Sequence, residues 1–175
     1  DPVKSSARLT IYIEGDGFAW QTGQTPSQDP TPINPLALKL ALAHPNGSAA
    51  YLARPCQYVG GAQAKCNQRY WTFARFAPEV VESMNKGVSQ LKASFRAQSL
   101  TLVGYSGGAA IAALIAARRD DVAELITVAG NLDHTAWTHY HNLLPLAGSS
   151  NAADVSAKLI GIKQRHFLGG QDTII

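Results

Sequence analysis

The sequence lacks any long apolar run; none approaches the ~18 residues that a membrane-crossing helix needs. Charge is sparse. Asp, Glu, Lys and Arg make up 15% of the 175 residues, which argues against a charge-rich disordered chain. The basic excess is small, with a net charge of +3, and Arg118-Arg119 is answered at once by Asp120-Asp121. No basic stripe is present, so a nucleic-acid partner is not expected. There are no internal repeats and no low-complexity tail.

Cysteine is scarce too. Cys56 and Cys66 flank the Gly-containing stretch QYVGGAQAK. Two cysteines this far apart, with no second Cys/His pair following, do not make a metal site. Two readings stay open: a loop-closing disulfide in an exported, periplasmic or secreted protein, or two free thiols in a cytoplasmic one. The chain opens at Asp1 rather than Met, as expected of a trimmed product whose export signal has been removed.

Apolar residues are plentiful, at 46%, enough to bury the core of one domain spanning residues 1–175. Leu9 to Glu14 (LTIYIE) predicts a buried strand entering a tight turn at Gly15-Asp16-Gly17. Residues 21–35 read as loop. Asn34 is expected to cap a helix with Pro35 at its first position, carrying LALKLALA to about His44-Pro45. Further strands are expected at Ala49–Ala53, Ser99–Val103, Leu125–Ala129 and Arg165–Leu168. Cys56 to Tyr70 reads as loop. Helices are expected over 78–95, where apolar residues recur at helical spacing, and over Ala109–Arg118. Alternation of strands and helices predicts an α/β fold: three α/β/α layers around a mainly parallel sheet.

The segment SLTLVGYSGG carries the chemistry. A strand runs into Gly104-Tyr105-Ser106-Gly107-Gly108, and a helix starts at once, which matches G-x-S-x-G in its strand–turn–helix setting. A serine that projects from so sharp a turn needs glycines around it, because Cβ atoms there would clash. The helix start behind Ser106 offers free N–H groups, so the Gly107 N–H can stabilise an oxyanion. As a bare pattern, the same residues could merely join a strand to a helix.

On these residues the chain resembles the α/β-hydrolase family, of whose fold it would cover about the central two thirds. YLARPCQYV, RYWTFARFAPEV and VAGNLDHTAWTHYH also resemble exported bacterial hydrolases of this class. The resemblance implies a serine hydrolase acting on a small acyl substrate, with esters first and amides or thioesters as alternatives, and no cofactor. It implies a second oxyanion donor after the first strand: the Asp16 backbone, with Gly17 second. Glu14 departs from the His-Gly often found there. The acid is expected at Asp172, in HFLGGQD, with Asp133 second. Phe18, Trp20, Tyr105, Trp137 and His134 are candidate pocket residues.

The catalytic His should follow the acid. His166 lies in a strand, and His44 reads as an exposed helix-end residue. His134, His139 and His141 cluster near Trp137, but no carboxylate-bearing helix frames them as metal ligands. The base is therefore expected beyond Ile175, Ile174-Ile175 is expected to fray, and apolar side chains should be exposed on one face of the sheet. The alternative is a non-catalytic binding domain that keeps the hydrolase fold.

Overall fold

The computed structural model describes residues 7–174. Five strands form one sheet: β1 (Arg8–Ile13), β2 (Ser48–Leu52), β3 (Ser99–Tyr105), β4 (Val122–Val128) and β5 (Lys163–Phe167). Their order is β2-β1-β3-β4-β5, and every neighbouring pair is parallel. The helices are α1 (Leu36–Leu42), α2 (Pro78–Ser94), α3 (Gly107–Ala116) and α4 (His134–Tyr140).

Strand alternation builds the layers. Leu9, Ile11, Ile13, Leu100, Leu102 and Leu125 point to one face and pack with α2 and α3. Tyr12, Val103 and Ile126, aligned across three strands, point to the other and pack with Ala37, Leu40 and Ala41 of α1. This is the three-layer α/β arrangement expected from the sequence. α2 is amphipathic and buries Val80, Val81, Met84 and Val88. α3 is buried along its whole length, so it is apolar all round, and its alanines let it approach the sheet closely.

The differences lie at boundaries and in the second half. Asn34 does not cap α1. Pro35 occupies that position without a side-chain bond, and Asn34 Oδ1 instead accepts from Lys39 Nζ. His44 is half-buried rather than exposed, and its Nδ1 lies 2.8 Å from the Tyr12 hydroxyl. The loop over Cys56–Tyr70 contains two short 3-10 turns, at Gly61–Ala64 and Gln68–Tyr70. α4 and a 3-10 stretch at Ala152–Leu159 had no counterpart in the sequence reading. β5 is exposed throughout, Phe167 included. Ile174 does not fray. Its carbonyl accepts from Trp137 Nε1 and lies 3.1 Å from His141 Nε2, and its N–H donates to Asp172. Ile175 lies outside the described residues.

Cys56 and Cys66 form a disulfide with Cα atoms 5.9 Å apart. Closing this short loop should contribute about 2–3 kcal/mol by constraining the unfolded chain. Native protein treated with an alkylating agent, without reductant, should keep its intact mass; a gain of two alkyl groups would disprove the bridge.

Candidate active site

The strand order changes direction between β1 and β3, since β1 is followed by β2 on one side and β3 lies on the other. In open α/β sheets this switch point opens a crevice at the carboxyl ends of the strands. Ser106 directly follows β3, and Glu14-Gly15-Asp16-Gly17 directly follows β1. Both therefore sit at the crevice mouth. A cleft of about 270 Å³ opens there, lined by Glu14, Asp16, Phe18, Ile33, Tyr105 and Ser106 among others.

Ser106 has φ 50° and ψ −122°. A non-glycine residue held there stores about 1–3 kcal/mol of strain, which the surroundings must over-determine. They do so through three bonds. Ser106 N–H donates to the Val128 carbonyl at 3.0 Å, and its own carbonyl accepts from Ala109 at 3.0 Å and Asn131 at 3.2 Å. The flanking glycines are required by contact. A Cβ on Gly104 would sit 2.4 Å from Ala109 Cα. One on Gly108 would sit 2.4 Å from the Ile13 and Glu14 carbonyls. The elbow and the loop after β1 are thus pressed together.

Asp16 faces this junction. A Cβ on Gly107 would lie 2.1 Å from Asp16 Oδ1, so the carboxylate seals directly against the start of α3. Burial alone would raise the Asp16 pKa, but Arg75 and Arg54 outweigh it and hold the group below its ordinary value. The backbone N–H groups of Asp16 and Gly17 have no acceptor among the described residues. Glu14 is buried, and its carboxylate accepts from Gly15 N–H at 2.9 Å, the Tyr51 hydroxyl at 3.2 Å and Ala37 N–H at 3.4 Å. It ties the loop to β2 and to the first turn of α1. Burial, the hydrogen bond with Tyr58 and the charge of Glu14 push the Tyr51 phenol up.

The other candidates separate. Asp172 and Trp137 line a second cleft of about 390 Å³, with Asn131 and Asp133. Asp133 is the N-cap of α4. It accepts from Ala136 N–H at 3.0 Å and Asn151 Nδ2 at 2.9 Å, and these bonds hold its carboxyl below the usual range. His134 lies at a third cavity beside His139, and both of its buried ring nitrogens lack partners among the described residues. Trp20 packs edge-on against Phe73 and is not in the Ser106 cleft lining. His166 Nδ1 lies 2.8 Å from Thr127 Oγ1 on neighbouring strands. Among the described residues, no imidazole is hydrogen-bonded to Ser106. No group of three His, Cys, Asp or Glu that could hold a metal occurs among them either.

The sequence reading missed Arg54, Gln57 and Arg75, which grip the loop after β1. A signal existed: the arginines of YLARPC and FARF sit among apolar neighbours. Arginine in such a setting is seldom buried unless paired.

No protein-family model and no curated protein matches the sequence. Among solved structures, an esterase from Pyrococcus furiosus is similar over 99% of this chain, with 14% identity and a TM-score of 0.58. This chain spans 64% of that esterase's length. An acetyl xylan esterase aligns over 97% of this chain and 84% of its own, with 12% identity and a TM-score of 0.44. The likeness to the Pyrococcus furiosus esterase bears on the fold: the chain has an α/β fold of the kind found in a solved esterase, built on a five-stranded parallel sheet.

Proposed function

We propose that the protein is a serine hydrolase that cleaves short-chain carboxylic esters through an acyl-Ser106 intermediate. The observation that carries this reading is the strained backbone of Ser106 at the switch-point crevice, next to unpaired backbone N–H groups. Strain at a serine between a strand and a helix suits a nucleophile that must project into a cleft. The Pyrococcus furiosus protein, named an esterase, supports the choice of bond. The small cleft favours a short acyl group.

In this reading Ser106 Oγ attacks the acyl carbon and loses its proton to a base. The tetrahedral oxyanion accepts from Gly107 and Asp16 N–H, with Gly17 as the alternative to Asp16. Collapse releases the alcohol, which takes the proton. Water then hydrolyses the acyl-serine by the same steps in reverse. Phe18 and Tyr105 flank the acyl group. Asp172, in the segment after β5, is the proposed acid, with Asp133, the N-cap of α4, as the second choice. The base is proposed to be a His; among the described residues no imidazole is hydrogen-bonded to Ser106. The disulfide fits an exported protein; among the described residues no helix is long and apolar enough to cross a membrane.

The lack of a bonded imidazole also suits a binding domain that keeps the fold without catalysis. One assay separates the readings: a short-chain p-nitrophenyl ester offered to residues 1–175 and to the natural full-length protein. The full-length form should turn over, and if its general base lies outside residues 1–175 the 175-residue form should be at least about 100-fold slower, the usual lower range for a missing general base. Equal rates would place the base within these residues. No turnover by the full-length form on any acyl substrate would favour the binding domain.

A further inference from the structure

The loop after β1 is held by a bracket from a distant part of the chain. Gln57 Nε2 donates to the Gly15 carbonyl at 3.0 Å, and Gln57 Oε1 accepts from Arg54 N–H at 2.9 Å. Arg54 and Arg75 bind the two oxygens of Asp16 at 3.1 and 2.7 Å. Arg54 also donates to the Arg75 carbonyl, and Arg75 Nε to the Thr72 carbonyl at 2.6 Å. All three bracket side chains are buried.

The Gly15 carbonyl and the Asp16 N–H belong to one peptide group. In a trans peptide these two point in opposite directions, and among the described residues the backbone contains no cis bond. A bond that fixes the carbonyl therefore fixes the direction of the N–H. Gly15 is the residue that faces the elbow: a Cβ there would lie 3.4 Å from Ser106 Cβ. The neighbouring peptides are restrained as well, because Gly15 N–H is bound by Glu14 and Phe18 N–H by the Pro30 carbonyl. Without Gln57, two glycines around Asp16 would leave this peptide free to rotate.

We infer that Gln57 is a positioning residue: by holding the Gly15 carbonyl it aims the Asp16 N–H at the oxyanion, while Arg54 and Arg75 anchor the Asp16 side chain. This rests on the reading of Ser106 as nucleophile. Gln57 adjoins Cys56, so the disulfide steadies the segment that carries the bracket. The donor acts on the transition state rather than on the bound ester, so its misplacement lowers kcat and leaves KM alone.

The test compares Gln57→Leu, Arg75→Lys and Ser106→Ala in the natural full-length protein, with kcat and KM measured on a short-chain p-nitrophenyl ester. Gln57→Leu should lower kcat about 10- to 100-fold, the scale of a catalytic group misplaced by about 1 Å, with KM within about twofold. Arg75→Lys, which keeps one charge on Asp16, should lose less. Folded Gln57→Leu with unchanged kcat, while Ser106→Ala is inactive, would overturn the bracket and leave the nucleophile standing. An active Ser106→Ala would instead remove the nucleophile itself. If both bracket variants fail to fold, Gln57→Glu decides, since it keeps the shape and the acceptor for Arg54 N–H but removes the donor to the Gly15 carbonyl. Loss of kcat at constant KM then supports the bracket, and an unchanged kcat overturns it.

Discussion

Replacing Ser106 by Ala should reduce ester hydrolysis by the full-length protein about 10⁴- to 10⁶-fold, the range seen when a triad nucleophile is removed. What remains would come from substrate binding and the oxyanion donors. The fold should survive, with stability close to that of the native protein. Ala removes a hydroxyl that bonds nothing among the described residues, and it leaves the φ of 50° in place. The bonds that hold Ser106 are all backbone bonds, to Val128, Ala109 and Asn131, and Ala keeps every one. A loss of only tenfold, ~1.4 kcal/mol of barrier, would mean that the hydroxyl is not the attacking group.

Asp16→Asn should cost about 3–5 kcal/mol of stability at neutral pH, the penalty for breaking a buried ion pair. Two guanidinium groups, buried beside Asp16, would lose their anion. The pH dependence follows from the lowered pKa. Asp16 stays charged in the fold at pH values where the unfolded chain already binds a proton. Its contribution is therefore fully present above the ordinary carboxylate pKa of about 3.9. It is lost as pH falls through the lower folded value. Chemical denaturation of wild type and Asp16→Asn between pH 7 and pH 3 should show the gap closing toward acid. A gap that is small and independent of pH would contradict the ion-pair account.

The parts of the fold that were legible are those whose signal is local. β1 and β3 are short β-branched and aliphatic runs, and the glycines around Ser106 mark a turn that only small residues permit. Even there the boundary moved. β3 runs on to Tyr105 because its ladder with β4 continues to Val128. α3 starts at Gly107 because these glycines are small for the sake of the loop after β1, not to break the helix. Asp133 shows how one residue type supports two readings. An aspartate after a strand can be an acid or a helix cap, and only the fold reveals α4 behind it. The bracket was not legible, because Arg54 and Arg75 lie 38 and 59 residues from Asp16 and no periodicity links them. That Asp172 and Trp137 line a cleft with Asn131 and Asp133, while Phe18 and Tyr105 line the one with Ser106, was also beyond a linear reading, since it depends on where α4 packs.

The central claim, that Ser106 is an activated nucleophile, is tested most directly by a fluorophosphonate probe on the natural full-length protein, followed by peptide mass mapping. The account predicts one phosphonyl group per chain, carried by the peptide that contains Ser106 and absent in Ser106→Ala. Native protein that stays unlabelled, or that labels equally well as Ser106→Ala, would contradict it.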